Sequence, residues 1–176
     1  GDRVRADDDY LPRVCVIVAA YNEEPVIERR LANLRALDYP ADRLELVVSS
    51  DASTDRTEEL AAAAGARVIA NPRGGKVAAQ NSAVRQSDAE IVAFSDGNST
   101  WAPDALRTLV RNFADPDVAY VCGRLNITNE DGRNKEGAYW RYELALRADE
   151  SRLDSVTGGN GSIYAVRRSD YVEVDS

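Results

Sequence analysis

Histidine is absent from the sequence, and its absence removes several kinds of active site. Without an imidazole there is no Ser–His triad, no histidine general base and no histidine ligand for zinc. Cysteine is almost absent as well: Cys15 and Cys122 allow neither a disulfide framework nor a CxxC metal site. We therefore expect two small buried thiols in a reducing compartment, and carboxylates as the acids, bases or metal ligands of any site.

Long apolar runs and an excess of basic charge are also missing. The longest apolar run, VCVIVAA at 14–20, is far shorter than the roughly 20 residues of a membrane span, and we find no signal peptide. We expect a soluble cytoplasmic chain, with any membrane contact made through segments absent from this sequence. The formal net charge of -8 argues against nucleic acid as a partner. The oligomeric state is left open.

Short β-branched runs alternate with helix-like segments in the first half of the chain. The predicted strands lie at 14–20, 44–50, 66–70 and 90–95. Apolar spacing predicts a first helix at 26–37. A second helix is expected to be capped by Ser53 or Asp55 and to run to Gly65, and a third is expected to begin with Pro103 at its first position. Continuous apolar strands between helices indicate an α/β fold with a mostly parallel, Rossmann-like sheet flanked by helices.

The pattern changes after residue 117. VAYVCGRLNIT reads as one bent strand or two, 137–153 as an aromatic-bearing amphipathic helix, and 162–166 as a further strand. We interpret this part as a mixed-sheet extension, because no linker precedes it. The predicted organisation is an extension at 1–12 and one domain at 13–176, with a nucleotide-binding half at 13–100 and an acceptor-side half at 101–176.

Polar residues follow three of the predicted strands. Tyr21, Asn22 and Glu23 follow the first, Asp51 begins the cluster after the second, and an aspartate at 96 follows the fourth. Each cluster alone is typical of a turn. In an open parallel sheet, however, ligands bind at the carboxyl ends of the strands, so three such clusters predict a binding site at one edge.

Two glycine-rich segments add basic residues. NPRGGKVAAQN at 71–81 lacks the spacing of a Walker A loop, but Lys76 lies at a helix start, where an anion is favoured. For Arg73 a solvated turn is an equal alternative. TGGNGSIYAVRR at 157–168 lets a ligand approach Asn160 closely, and we expect Arg167 and Arg168 to form surface salt bridges.

Five segments in order, VIVAAYNEE, VVSSDASTDRT, GGKVAAQN, FSDGNSTWAPDAL and GGNGSIYAVRR, resemble the family 2 glycosyltransferases. The resemblance covers the chain from Pro12 to about Tyr171. Within the family, the motifs are similar to those of the catalytic domains of processive membrane polysaccharide synthases. The resemblance implies the GT-A fold and inverting transfer from a nucleotide-diphosphate sugar, with UDP as the expected nucleotide, to a saccharide acceptor in extracellular polysaccharide synthesis.

The resemblance also implies roles for individual residues. Ala20, Tyr21 and Glu23 match the lining of the nucleotide pocket. Asp51 matches the residue that reads the base, and a carboxylate suits a uracil-type N–H because it accepts without donating. Lys76 matches the basic position near the diphosphate.

On the sugar side, Gly158, Gly159 and Asn160 match a loop that faces the donor sugar and the acceptor. Trp140, on the helix predicted before that loop, is a candidate for sugar stacking, with core packing as the alternative.

Asp96, Gly97 and Asn98 match the DxD motif, whose carboxylates hold Mg²⁺ or Mn²⁺ on the donor diphosphate. The metal neutralises charge that develops on the leaving nucleotide. Because Asn98 is a neutral ligand, we expect weaker metal binding than two carboxylates provide.

The resemblance implies that the catalytic base is an aspartate in a motif that we expect beyond residue 176. No residue of this sequence is therefore assigned as the base. We expect the isolated chain to bind the donor with little or no turnover. Glu173 and Asp175 are not singled out by their spacing. Two alternatives are open. The first is a nucleotide-sugar-binding module without catalysis. The second is a haloacid-dehalogenase-like phosphatase, because the segment DGNST approximates the DxDxT signature of those enzymes.

Overall fold

A computed structural model of the chain describes residues 4–95, 100–127, 138–146 and 162–175. The strands are β1 (Val14–Ala20), β2 (Leu44–Asp51), β3 (Arg67–Asn71), β4 (Ile91–Ser95), β5 (Val118–Ile127), β6 (Ala138–Leu146) and β7 (Ser162–Arg167). The helices are α1 (Ile27–Arg35), α2 (Thr57–Ala63), α3 (Lys76–Arg85) and α4 (Ala105–Val110). Short 3₁₀ turns lie at Ala41–Arg43, Arg111–Ala114 and Arg168–Asp170.

The strands form one sheet in the order β3-β2-β1-β4-β7-β5-β6. The pairs β3–β2, β2–β1 and β1–β4 are parallel, and the pairs β4–β7, β7–β5 and β5–β6 are antiparallel. From β1 the chain winds outward to β3 and then returns to β4 on the other side of β1. Ligands bind at such a switch point in open α/β sheets, outside the carboxyl ends of the strands.

β1 is the centre of the parallel half, and both of its faces are buried. Val14, Val16 and Val18 pack into one apolar cluster, and Cys15 and Ile17 pack into the other. Helices α1, α2 and α4 contribute to the first cluster and α3 to the second. A strand that is covered on both faces has no polar side, which explains the continuous apolar run VCVIVAA.

The predicted α/β fold with a mixed C-terminal part is confirmed. All four predicted strands of the first half are present, and Val118–Ile127 forms a single strand, β5, with a shift in register between Val118 and Tyr120. Cys15 and Cys122 are buried free thiols, as predicted. None of the helices in the described part of the chain has the length and apolarity needed to cross a bilayer.

The helix predicted at 137–153 is wrong where the structure describes it, because Ala138–Leu146 forms strand β6. It pairs along its length with β5, from Ile127 opposite Ala138 to Val118 opposite Leu146. Aromatic residues favour strands, and a long partner strand supplies the backbone hydrogen bonds that outweigh a helical apolar spacing. Trp140 consequently lies on a strand, opposite Leu125.

Two predicted helix starts need adjustment. Pro103 lies in the turn before α4, which begins at Ala105. Of the two capping candidates for α2, Asp55 makes the contact: its Oδ1 accepts from the backbone N–H of Thr57 at 2.9 Å. Ser53 instead bonds to the loop that follows β1, which brings the ends of β1 and β2 together.

Candidate functional site

The carboxyl ends of β1, β2 and β4 lie at one edge of the sheet. Ala20 at the end of β1 is opposite Ser50 of β2, and Phe94 of β4 is opposite Ile17 of β1. β1 lies between the other two strands, so the ends of β2 and β4 are separated by two strand spacings, about 10 Å. The segments that follow these three strands, which begin after Ala20, Asp51 and Ser95, therefore leave the sheet at this edge.

Asp51 is the buried acid of this edge, and its carboxylate is surrounded by donors. Only 4% of the residue is exposed. Its Oδ1 accepts from the backbone N–H of Gly74 at 2.7 Å and of Gly75 at 3.0 Å, and its Oδ2 accepts from Arg73 at 2.5 Å. The hydrogen bond from Gly74, supported by those from Gly75 and Arg73, lowers the pKa of Asp51 below its ordinary value. The carboxylate therefore stays charged and holds the loop between β3 and α3.

The loop held by Asp51 adopts a conformation that glycine favours. Gly75 has a φ of 97°, and a Cβ built there would meet nothing within 4 Å, so backbone strain and not space limits this position. A side chain at such a φ is strained, and the residue directly precedes α3. The GGK sequence is thus explained by the shape of the backbone around the Asp51 carboxylate.

Arg73 and Tyr21 form a flat, partly exposed surface beside Asp51. The guanidinium carbon of Arg73 lies 3.6 Å from the centre of the Tyr21 ring, a cation–π contact. Tyr21 is 43% exposed, and the Arg73 side chain is 58% exposed. One face of the ring is therefore covered by the exposed side chain of Arg73 and not by the core.

The loops after β1 and β2 are fastened to each other by hydrogen bonds. The backbone N–H of Asn22 donates to Ser53 Oγ at 3.1 Å, and the N–H of Thr54 donates back to Asn22 Oδ1 at 2.8 Å. Next along both loops, the N–H of Glu23 donates to Thr57 Oγ1 at 2.8 Å. These bonds hold Tyr21 in place relative to Asp51.

This fastening involves backbone strain. Asn22 has a φ of 50° and Ala52 a φ of 57°, the left-handed region that residues with a Cβ rarely adopt. Asparagine tolerates this region better than alanine, so the strain is greatest at Ala52, directly after Asp51. Strained backbone of this kind gathers at functional sites, where the surrounding structure enforces it.

The remaining predicted nucleotide-pocket residues lie at the same edge. Ala20 is buried at the last position of β1. Glu23 follows Tyr21 by two positions, is half-buried, and its carbonyl accepts from the N–H groups of Val26 and Ile27 before α1 begins. Lys76 is the first residue of α3 and is exposed. The structure thus brings Ala20, Tyr21, Asp51 and the start of α3 together.

Several predicted residues lie outside the described residues. They are Asp96, Gly97 and Asn98 of the DxD-like motif and Gly158, Gly159 and Asn160 of the glycine-rich loop. Trp140 is described only by its position on β6. Within the described part of the chain, no group of three acidic or thiol side chains is arranged to hold a metal. The metal prediction therefore rests on Asp96 and Asn98, which follow the end of β4 directly in sequence.

The carboxylates near the end of the described chain, Glu173 and Asp175, line a cavity together with Arg73 and Gly74 of the loop between β3 and α3. Glu173 is bonded by Arg85 of α3 through both of its oxygens, and the Arg85 hydrogen bond lowers the pKa of Glu173. A general base works best with a pKa near the working pH. Glu173 is therefore poorly suited to take a proton from an acceptor hydroxyl.

Sequence reasoning missed the role of Arg73. Its partner Asp51 is 22 residues away in sequence, and no local pattern indicates the pairing. The only available signal was the placement of a cation just before a glycine pair at a predicted helix start, which a solvated turn explains equally well.

An open α/β sheet with a polar edge at a switch point is typical of ligand-binding α/β domains, and comparison with known proteins specifies the family. The family described as Glycosyl transferase family 2 matches residues 15–174. The chain belongs to this family. Its structural neighbours are glycosyltransferases of the GT-A fold, which confirms the predicted fold.

Two curated relatives illustrate the family. The beta-monoglucosyldiacylglycerol synthase of Synechocystis sp. is 36% identical over 163 residues, which are 86% of this chain and 33% of that protein. The N-acetylglucosaminyltransferase of Rhizobium meliloti is 32% identical over 173 residues, 90% of this chain and 40% of that protein. The chain thus spans less than half the length of either relative.

Two solved structures are similar. The mannosyltransferase PcManGT from Pyrobaculum calidifontis, in complex with GDP-Man and Mn²⁺, has a TM-score of 0.69 and 32% identity, covering 94% of this chain and 47% of that chain. The glucosyl-3-phosphoglycerate synthase from Mycobacterium tuberculosis, with Mn²⁺, UDP and glucosyl-3-phosphoglycerate, has a TM-score of 0.57 and 26% identity, covering 90% and 57%. Both neighbours hold Mn²⁺ with a nucleotide or a nucleotide sugar.

Proposed function

We propose that this domain binds a nucleotide-diphosphate sugar, with UDP as the expected nucleotide, and transfers the sugar with inversion to a saccharide acceptor. The observation that carries the proposal is the arrangement of Tyr21, Asp51 and Arg73 at the carboxyl ends of β1 and β2. It is supported by membership of the family and by neighbours solved with GDP-Man or UDP. The family assignment leaves no reason to retain the phosphatase alternative.

The base is expected to stack on the Tyr21 ring. The Arg73 guanidinium covers that face at 3.6 Å, the separation of two flat groups in contact. A planar base occupies the same space when Arg73 rotates outward, and the exposure of its side chain allows this movement. Rotation also frees one lone pair on Asp51 Oδ2, which then accepts the N–H of a uracil-type base.

The diphosphate is expected between the start of α3 and the end of β4. Lys76 begins α3, where its charge and the helix N-terminus both favour an anion. Asp96 and Asn98 offer a carboxylate and an amide oxygen, which fit a hard cation such as Mg²⁺ or Mn²⁺. When bound, such a cation neutralises charge on the departing nucleotide.

Calorimetry with UDP, with and without Mn²⁺, tests this proposal. We expect UDP to bind more tightly with Mn²⁺, and Asp51→Ala to weaken binding in both conditions because the base loses its acceptor. Asp96→Ala is expected to remove only the metal-dependent part. Loss of a hydrogen bond to a charged group predicts a weakening of about tenfold or more for Asp51→Ala.

Asp42→Ala is the matched control, since Asp42 is an exposed carboxylate in the turn before β2. GDP in place of UDP checks the choice of base. Absence of binding for both nucleotides in the presence of Mn²⁺ would show that the donor-site assignment is wrong.

The acceptor is the second half of the proposal. The saccharide acceptor and the polysaccharide setting, with a membrane-associated parent protein at the cytoplasmic side, come from the resemblance of the five motifs. The Synechocystis relative is named for a glucosylated diacylglycerol, so a lipid acceptor is the competing outcome. Supplying a radiolabelled UDP-sugar with saccharide or diacylglycerol acceptors separates the two, while binding without transfer to either supports a binding module.

A further inference from the structure

Helix α1 hydrogen-bonds to the chain just before the DxD-like motif. Nη2 of Arg30 donates to Ser95 Oγ at 2.5 Å and to the Ser95 carbonyl at 3.3 Å. Ser95 is the last residue of β4, is buried, and is followed directly by Asp96. Arg30 therefore holds the end of the strand from which the motif starts.

The same helix also binds the chain just after the motif. Nδ2 of Asn33 donates to the Trp101 carbonyl at 3.0 Å, and the backbone N–H of Trp101 donates to Asn33 Oδ1 at 2.9 Å. One side-chain amide thus satisfies both backbone groups of a single residue. Aspartate in this place keeps the acceptor and loses the donor.

The two contacts come from a rigid element. Ile27, Leu31 and Leu34 fix α1 in the core with at most 1% exposure each. Arg30 and Asn33 are three positions apart, so they are neighbours on one side of the helix. Together with the buried Trp101, they form what we call the α1 clamp, defined as Arg30 and Asn33 with their contacts to Ser95 and Trp101.

We propose that the α1 clamp positions the DxD-like motif for metal binding, so that Arg30 and Asn33 are positioning residues of the donor site. This inference rests on the proposed function, because that function assigns Asp96 and Asn98 to the metal. Outer groups that orient metal ligands typically change metal affinity by about 10- to 100-fold when removed. The clamp has particular weight here, because the motif has only one carboxylate to attract the cation.

Charge alone predicts the opposite sign. Arg30→Ala removes a positive charge near the motif, and Asn33→Asp adds a negative one. Both changes make the surroundings of a cation more favourable by Coulomb's law, so they would tighten Mn²⁺ binding if the clamp had no positioning role. Positioning predicts weaker binding from both, which separates the two effects.

The experiment measures the affinity for UDP by calorimetry with and without Mn²⁺. We expect Arg30→Ala and Asn33→Asp each to weaken Mn²⁺-dependent UDP binding by about 10-fold or more while leaving metal-free UDP binding unchanged. Arg29→Ala and Ala32→Asp make the same charge changes at exposed positions of α1 and should behave as wild type. Ser95→Ala, which removes the hydroxyl partner of Arg30, should shift in the same direction as Arg30→Ala even if the arginine variant folds poorly.

Three results would overturn the clamp. The first is metal dependence in the clamp variants equal to that of Arg29→Ala and Ala32→Asp, and the second is tighter Mn²⁺-dependent binding. The third is an equal loss of metal-free UDP binding, which indicates a general loss of structure. A wild-type chain whose UDP binding is strengthened by Mn²⁺ keeps the proposed function intact under all three results, whereas a wild type that binds no nucleotide removes both proposals.

Discussion

At the scale of single residues, Asp51 combines two tasks. Its carboxylate ties the loop between β3 and α3 to the end of β2, through Gly74, Gly75 and Arg73. The proposed reading of a base uses the same group after Arg73 has moved. Because hydrogen bonds from these donors lower the pKa of Asp51, protonation of its carboxylate in acid is expected to weaken the contacts that hold this loop.

Replacement of Asp51 by Asn is expected to lower the free energy of unfolding by about 1–3 kcal/mol near neutral pH, because donors around a buried acceptor lose partners. The pKa of Asp51 is lowered in the folded state, so its stabilisation is fully present above the unfolded pKa of about 4 and disappears as the pH falls through the lower folded value. Urea unfolding of both proteins from pH 7 to pH 2 measures this. A difference that does not shrink in acid would contradict the charge-based explanation; Asp42→Asn is the control.

At the scale of elements, Arg167 holds the end of β7 against the corner between α4 and β5. Its side chain donates to the carbonyls of Phe113 and Val118 at 3.0 Å and of Asp115 at 3.1 Å. Only 14% of the side chain is exposed, and Asp170 lies 3.7 Å away. The predicted surface salt bridge is therefore a minor part of what Arg167 does, because the carbonyls at the end of a helix and the start of a strand need donors.

Arg167→Lys is expected to reduce the free energy of unfolding by about 1–3 kcal/mol, since an ammonium group cannot bridge three carbonyls in the geometry of a guanidinium. Arg168→Lys is the neighbouring control: Arg168 is exposed and donates to the Ala89 carbonyl, and a loss below about 1 kcal/mol is expected. Urea unfolding compares them. Equal losses would show that the three carbonyl contacts add little.

At the scale of the whole molecule, the protection of backbone amides against hydrogen exchange should decrease from β1 towards β3 at the sheet edge. β1 is paired on both sides and buried on both faces, whereas β3, among the described strands, is at the sheet edge with β2 as its one partner. We expect β1 amides to exchange through global unfolding, and β3 amides through local opening of lower free energy. Hydrogen exchange at increasing denaturant tests this order; equal protection in both strands would mean that the sheet opens as one unit.

Much of the fold could be predicted from local patterns. Apolar runs bounded by turn residues located β1 to β4, and the cluster of Tyr21 and Asp51 after two of them predicted the binding edge. The segment at 138–146 could not be predicted in this way, because its apolar spacing suits a helix whereas its aromatic residues favour a strand. Pairing with β5, a long-range interaction, decided between them.

The sequence by itself determined the α/β fold, the family and the edge at which the site lies, because these follow from short-range periodicity and from the order of five motifs along the chain. Only the tertiary structure decided which side chains meet there. Arg73 reaches Asp51 across 22 positions, Arg30 reaches Ser95 across 65, and Asn33 reaches Trp101 across 68. Contacts at such separations depend on how the elements pack, so neither the cover on Tyr21 nor the α1 clamp has a signature in the sequence.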